Sequence, residues 1–364
     1  MPPHGRERAE EQHMQWDDIY VAGLGAYLPP AASAEDAIAA GEYDAEELEA
    51  NGITSVLVEP KLAAPEMAVL AARDAITHSA VDVGDIRLVF HSSLWYQGVD
   101  MWPAASYVAR FAVGDSVVAF DVQQQCNAAV GAMDLAASRL LFERGRGMAG
   151  GAALLTTGDR FAMPGVDRWR TERGLPYGDG GTAMLLSTES GFARLLSTYT
   201  VSDNGLEQVL RGEKFHDTYQ PGPLDITSRI AYHFANNGGM RASTVRLAEA
   251  VKASVAGALA EAKTEFGDLG GVVIPAAGRA KLDWQLSQLV GIHEEQTSWT
   301  FARTHGHLGA GDQFAGLRHL LLEGVVKPGD RVLMVGGGAG LTATSAVFEI
   351  LGGMPAATER TWPR

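Results

Sequence analysis

One cysteine stands in 364 residues, Cys126, and it sits where a thiol can react. It follows a short apolar run, Val117-Val118-Ala119-Phe120, that reads as a buried strand. It precedes Ala129-Val130, Met133, Ala136-Ala137 and Leu140-Leu141, which share one face of a helix. A strand–turn–helix unit puts Cys126 at the first helical turn, beside unpaired backbone N–H groups and the positive end of the helix dipole. Both favour the thiolate, the nucleophilic form of sulfur. The plain alternative is a small buried hydrophobe, the usual fate of a free cysteine. A second group able to do chemistry lies far downstream, in Thr304-His305-Gly306-His307-Leu308-Gly309-Ala310-Gly311-Asp312. His307 follows Cys126 by 181 residues.

Residues so far apart meet only if the fold brings two similar units together. Tyr20 to Leu28 reads as a strand, residues 34–50 as helical, and Pro65 opens a helix with Met67, Leu70-Ala71 and Ala75-Ile76 on its apolar face. Gly84-Asp85-Ile86 leads into the strand Leu88-Val89-Phe90, and residues 91–107 form an aromatic loop suited to subunit or core packing. Ala152 to Thr157 reads as a buried strand, residues 159–176 as an arginine-bearing loop, and Gly178 to Ala183 as a turn into the strand Met184-Leu185-Leu186. The second half echoes the first. A helix over 244–265 precedes Gly267-Asp268-Leu269 and the strand Val272-Val273-Ile274. Thr300-Phe301-Ala302 reads as a strand, followed by the His305–Asp312 turn and a helix with Phe314, Leu317 and Leu320. Val332 to Val335 and the residues after Gly336-Gly337-Gly338 give two closing strands. The repeat predicts a pseudo-twofold that carries Cys126 and His307 to opposite lips of one pocket. The expected organisation is a flexible tail over 1–16, a half over 17–195 bearing the cysteine, and a half over 196–364 bearing the histidine and Asp312.

Composition narrows the function. Net charge is −15, which argues against nucleic acid as a partner and requires any acidic carrier protein to dock on a local basic patch. Apolar residues make up 46%, enough for a sizeable core, yet no apolar run reaches the ~18 residues of a membrane span. The charged N-terminus has no apolar signal-peptide segment, and one cysteine excludes an internal disulfide, so the expected compartment is cytoplasmic. Ten histidines include no metal-binding spacing, so no metal is expected.

Three stretches together resemble the 3-oxoacyl-acyl-carrier-protein synthase III branch of the thiolase superfamily. They are Ala119-Phe120-Asp121-Val122 with Cys126, Gly178-Asp179-Gly180-Gly181-Thr182-Ala183, and Gly338-Ala339-Gly340-Leu341-Thr342. The resemblance runs over nearly the whole chain. It implies an α/β fold, the thiolase-like five-layered αβαβα sandwich, usually as a homodimer. It implies an acyl thioester on the cysteine, with no permanently bound cofactor and acyl-coenzyme A or acyl-phosphopantetheine on a carrier protein as donor. It places the oxyanion hole at the N–H groups of Cys126 and Gly340, although Gly340 read alone is equally a turn residue. It also makes Arg279 and Lys281 candidates for carrier docking, against the alternative of ordinary solvated cations.

Two departures from the family pattern bear on the reaction. Condensing members carry a histidine in a Pro-His-Gln-Ala-Asn stretch and an asparagine in a Gly-Asn-Thr-Ser stretch, which stabilise an enolate. Here those positions are Ala276 and His307. Alanine offers no side-chain donor to a developing enolate. What remains is Cys126, His307 and Asp312, the nucleophile, base and orienting group of acyl transfer. Such a set resembles a non-condensing offshoot of the family from actinomycete natural-product pathways. It implies transfer of an acyl group to a sugar or natural-product hydroxyl, or to a carrier thiol. His305 is an alternative base, and Asp312 reaches His307 only if His307 precedes the regular helix. Other readings are a condensing synthase with His305 as the enolate group, a thioesterase, and a non-catalytic partner subunit. Residues 91–107 and 196–243 are expected to line the entrance.

Overall fold

The structure, a computed structural model, describes residues 15–148, 150–216, 222–279 and 293–362. Eleven strands carry the architecture: β1 Tyr20–Tyr27, β2 Ala31–Ser33, β3 Ser55–Leu57, β4 Ile86–Ser92, β5 Val118–Val122, β6 Ala152–Asp159, β7 Gly180–Ser187, β8 Ala193–Ser202, β9 Leu269–Val273, β10 Arg331–Gly338 and β11 Thr342–Ile350. Nine of them form one sheet in the order β5-β4-β6-β7-β1-β8-β11-β10-β9. Read inward from each edge, the halves match. β4 and β6 are parallel, then β7 and β1 follow antiparallel; β9 and β10 are parallel, then β11 and β8 follow antiparallel. The halves join where β1 meets the start of β8. β8 therefore runs across the position 195/196, where the sequence pattern begins the second half.

The helices are α1 Ala34–Ala39, α2 Ala45–Asn51, α3 Ala64–Thr77, α4 Ala104–Ala112, α5 Ala128–Gly145, α6 Gln208–Arg211, α7 Ile226–Asn236, α8 Gly239–Glu261, α9 Trp299–His305 and α10 Asp312–Leu322. Helix α3 packs on β1, β6 and β7, and α8 on β8, β10 and β11, one outside each half. Helix α5 touches β4 and β6 of one half and β10 and β11 of the other, while α10 touches β1, β7, β9 and β10. Strands so far apart along a sheet reach one helix only if the sheet folds over it. Thus α5 and α10 form the middle layer of an αβαβα sandwich. Small residues make this possible: Ala128, Ala129, Ala132, Ala136 and Ala137 on α5 are buried with Met133 and Leu140 against Phe314, Leu317, Met334 and Phe348.

Three local expectations differ from the structure. Thr300-Phe301-Ala302, read as a strand, lies in helix α9. The run is short, and its burial against the outer core of the second half says nothing about period. The second half thus has no counterpart of β5 among the described residues. β5 itself is not buried: it pairs only with β4, and Val118 and Phe120 are 49% and 56% exposed. Trp16, at the end of the stretch expected to fray, is buried; its backbone N–H donates to the Leu196 carbonyl and its indole N–H to Thr198 Oγ1, both at 2.9 Å. Residues 1–14 lie outside the described residues.

Candidate active site

Cys126 stands ahead of α5 rather than within its first turn. The helix begins at Ala128, and Asn127 is its N-cap. Gln125, with φ +51°, bends the chain sharply so that the sulfur projects from the turn. Asn127 ties this turn to β11: its Oδ1 accepts the Thr344 N–H and its Nδ2 donates to Thr344 Oγ1, each at 3.0 Å. Gln124 Nε2 donates to Thr342 Oγ1 at 2.9 Å. Glycine is needed where β10 crosses the turn, since a Cβ on Gly338 would stand 2.3 Å from the Gln124 carbonyl oxygen. Gly340, named for the oxyanion hole, lies at the β10–β11 turn with φ +114°. The glycine pressed against the cysteine turn is Gly338.

The symmetry-related helix end supplies the rest. Gly306, with φ +73°, closes α9, and His307 follows it. Two backbone bonds fix His307 to the 176–178 segment: its N–H donates to the Pro176 carbonyl and its carbonyl accepts the Gly178 N–H, both at 2.9 Å. Residues 309–311 make one tight turn, and Asp312 then opens α10. His307 therefore precedes the regular helix, the condition under which Asp312 faces it.

Cys126 Sγ lies 3.0 Å from His307 Nε2, and His307 Nδ1 lies 2.6 Å from Asp312 Oδ2. The imidazole and carboxylate are buried, and the sulfur is partly exposed. Asp312 also accepts the Leu308 N–H on Oδ1 and the Ala276 N–H on Oδ2, each at 2.7 Å. Burial works against a charged His307, but Asp312 and the Cys126 sulfur outweigh it and hold the imidazolium well above the ordinary histidine range. The arrangement can pass a proton from sulfur to ring and hold the ring in one tautomer.

The other predicted residues fall elsewhere. His305 Nδ1 donates to the Phe301 carbonyl at 2.8 Å, and its ring stacks on Phe301 at 3.9 Å between centroids. Burial pushes it below the ordinary histidine range. Those ring contacts are with α9 itself, and the imidazole bonded to the sulfur is that of His307. Arg279 is engaged too: its guanidinium donates to both Glu294 oxygens, at 2.7 and 3.1 Å, and lies over the Trp299 ring. Lys281 lies outside the described residues. Among the described residues no group of three histidine, cysteine or acidic side chains is placed to hold a metal ion, and no helix is long and apolar enough to cross a membrane.

Two nearby residues carry no clear mark in the sequence. Tyr177 packs its ring 5.5 Å from that of His307, and its hydroxyl donates to Glu172 at 3.0 Å. Asp159 is wholly buried at the end of β6. The available signals are slight: Tyr177 stands immediately before the Gly178-Asp179 turn, and Asp159 ends an otherwise apolar and hydroxyl-bearing strand.

Comparison with known proteins gives the family of the chain. Residues 259–350 match the model for the C-terminal part of 3-oxoacyl-[acyl-carrier-protein] synthase III. The solved structure of the acyltransferase ChlB3 superposes with a TM-score of 0.85 at 34% identity, covering 93% of this chain and 99% of that one. The chain is 28% identical to acetoacetyl CoA synthase NphT7 of Streptomyces sp. (strain CL190), over 68% of this chain and 72% of the relative. It is 26% identical to β-ketoacyl-[acyl-carrier-protein] synthase III of Caulobacter vibrioides, over 91% and 99%. The chain belongs to the 3-oxoacyl-acyl-carrier-protein synthase III-like family of the thiolase superfamily. It is accordingly an acyl-transferring enzyme.

Proposed function

We propose that the protein is a non-condensing acyltransferase that uses Cys126, His307 and Asp312 as nucleophile, base and orienting group. One observation carries the reading: an imidazole spans 3.0 Å to a thiol and 2.6 Å to a buried carboxylate, while the second enolate-binding position is Ala276. That alanine contributes only its backbone N–H, which is committed to Asp312. Such a site moves protons and does not stabilise an enolate.

The reaction has two halves. His307 Nε2 takes the thiol proton as the sulfur attacks the donor carbonyl. The tetrahedral intermediate collapses, the donor C–S bond breaks, and the leaving thiolate recovers the proton from His307. The acyl group now sits on Cys126. An acceptor hydroxyl or thiol then gives its proton to His307 and attacks the acyl carbonyl. The C–Sγ bond breaks and Cys126 regains the proton, so no carbon dioxide is released. The Cys126 and Gly340 N–H groups are the proposed oxyanion donors in both halves.

The donor is a coenzyme A or carrier-protein thioester, and the acceptor a small-molecule hydroxyl or a carrier thiol. The edge strand β5 supports a homodimer, since it is paired on one side only, with β4, and leaves Val118 and Phe120 exposed in a single copy. The runner-up is decarboxylative condensation, favoured by the names of NphT7 and the Caulobacter relative. Intact-protein mass after exposure to a panel of acyl thioesters, then to acceptors, tests the main reading. Acyl-Cys126 that discharges to a hydroxyl or thiol acceptor is the expected result. Brisk carbon dioxide release from malonyl thioester selects condensation instead.

A further inference from the structure

Gln125, with φ +51°, occupies a left-handed conformation that a non-glycine residue keeps only where its surroundings over-determine it. Gln124 and Asn127 bracket Gln125-Cys126, and each reaches a threonine on β11. Thr342 and Thr344 stand two residues apart, on one face of that strand. Each meets a hydroxyl of its register partner in β8: Thr342 with Ser202 and Thr344 with Thr200, both at 2.9 Å. Two rungs therefore run from the cysteine turn across β11 to β8.

The rungs differ in burial. The Gln124 rung ends in an exposed Ser202–Thr342 bond, where water can replace a lost partner. The Asn127 rung is closed at its start: Asn127 and Thr344 are 1% and 0% exposed. Both ends of the carboxamide are used there, Oδ1 accepting the Thr344 N–H and Nδ2 donating to Thr344 Oγ1, each at 3.0 Å. Glycines shape the slot around it. A Cβ on Gly336 would stand 2.6 Å from Oδ1, and one on Gly131 would stand 3.3 Å from Nδ2. The Asn127 backbone belongs to the same turn. Its N–H donates to the Gln124 carbonyl at 3.2 Å, and its carbonyl accepts the Gly131 N–H at 2.8 Å. One residue thus joins the strained turn, the start of α5 and β11, next to the sulfur that lies 3.0 Å from His307 Nε2.

We propose that Asn127 is the positioning residue of the nucleophile: its carboxamide, bonded to Thr344, holds the Cys126 turn on β11 so that the thiol meets His307. The proposal rests on the Cys126–His307–Asp312 relay described above. Asn127 acts on the reaction only by where it puts the sulfur. Its loss and the loss of His307 therefore remove one and the same contact, and their effects should not multiply. A residue that merely stabilised the fold would give effects independent of His307.

Alkylation by iodoacetamide at neutral pH tests this without knowledge of the acyl group. Cys126 is the sole cysteine, so whole-protein mass reads it directly. His307→Asn should slow alkylation roughly tenfold or more, since a thiol without a base is only a few per cent thiolate at neutral pH. Asn127→Ala should fold, with a lower urea midpoint, and slow alkylation by a similar factor. Adding His307→Asn to Asn127→Ala should then cost no more than about a further twofold, the margin within which independent effects simply multiply. Thr344→Val removes the hydroxyl and keeps the branched shape. It should slow alkylation and weaken the dependence on His307 in the same way, and it carries the comparison if Asn127→Ala does not fold. Thr344→Ser keeps the hydroxyl and should restore the rate. A folded Asn127→Ala that reacts within about twofold of wild type, or that keeps the full His307→Asn factor, overturns the proposal while the relay stands. If His307→Asn alone reacts at the wild-type rate, the relay itself is wrong, and both readings fall together.

Discussion

Replacing Asp312 by asparagine probes the relay where its hydrogen bonds are fully specified. The carboxylate accepts three N–H groups, from His307 Nδ1, the Ala276 backbone and the Leu308 backbone. Asparagine has one oxygen and one NH₂ group. With its oxygen toward Leu308, the NH₂ faces Ala276 N–H and His307 Nδ1. The ring must then accept at Nδ1, which puts its proton on Nε2, the atom that has to take the thiol proton. With the amide turned over, the oxygen keeps Ala276 and His307, but the buried Leu308 N–H confronts the NH₂. Either orientation leaves one buried N–H without an acceptor, a cost of about 1–3 kcal/mol. The first also disables the base. The same aspartate-to-asparagine change in a serine protease triad lowers kcat about 10⁴-fold, and a drop of ~10²–10⁴ is expected here. The assay is pre-steady-state acyl loading by intact mass, alongside urea denaturation. The variant should fold with a modestly lower midpoint and load slowly at every pH. Loading within about tenfold of wild type, below the usual worth of a positioned base, would refute the role given to Asp312.

Other outcomes follow from the same geometry. Cys126→Ala should fold, at a cost of ~1–3 kcal/mol at most, and form no acyl-enzyme; retained acylation by intact mass would remove the sulfur from the mechanism. His307→Asn restores the residue of the condensing pattern yet should lower transfer by ~10²–10⁴ without releasing carbon dioxide, while Ala276→His with His307→Asn rebuilds both donors and should give weak malonyl decarboxylation, followed as trapped carbon dioxide. The His307 imidazolium is raised in the folded state, so its contribution to stability is complete below the unfolded histidine range and is lost as pH rises through the raised value. The stability gap between wild type and His307→Asn, from urea midpoints, should therefore narrow from pH 6 to alkaline pH; a gap that widens would contradict the assigned charge. Arg279→Ala should cost stability through the lost Glu294 and Trp299 contacts, yet change transfer from a carrier-borne donor by no more than about twofold relative to the coenzyme A donor. A loss confined to the carrier-borne donor would return Arg279 to a docking role.

What could be read from the chain, and what could not, divides along physical lines. The pairing of Cys126 with His307 was accessible because duplication leaves a trace: similar helix, turn and strand segments recur, and each residue precedes the inner helix of its own half. The exposed face of β5 was not accessible. Val118 and Phe120 have the composition of a buried strand, and an apolar edge looks the same in sequence whether core or a second copy covers it. The α9 segment failed for a related reason, since three residues cannot distinguish a period of two from one of 3.6. The contact of Gly338 with the cysteine turn has no mark in the sequence either, because it is made with the Gln124 carbonyl of the backbone. Asp159 was hidden because it accepts the backbone N–H groups of Leu94 and Trp95, which have no letter in the sequence.

The same invisibility explains how two positions differ from the condensing pattern while the surrounding fold keeps its shape. Removing the side chain at 276 leaves the backbone N–H, and that N–H now holds Asp312. Placing an imidazole at 307 gives Asp312 a second buried partner and gives the thiol a proton acceptor. The two changes are coupled through one carboxylate. A histidine at 307 without Asp312 would be a buried ring with its Nδ1 unassigned. An Asp312 without His307 would be a buried charge balanced only by N–H dipoles, for which desolvation is costly. Altering 276 alone should therefore matter less than breaking the 307–312 pair. Ala276→His is expected to cost activity by crowding a buried position and to leave the proton relay in place. In an otherwise unchanged protein it should lower acyl transfer without creating decarboxylation, because the oxygen-binding asparagine is still absent. Carbon dioxide release by the single variant would show that one donor suffices, and the argument from the two paired departures would fail.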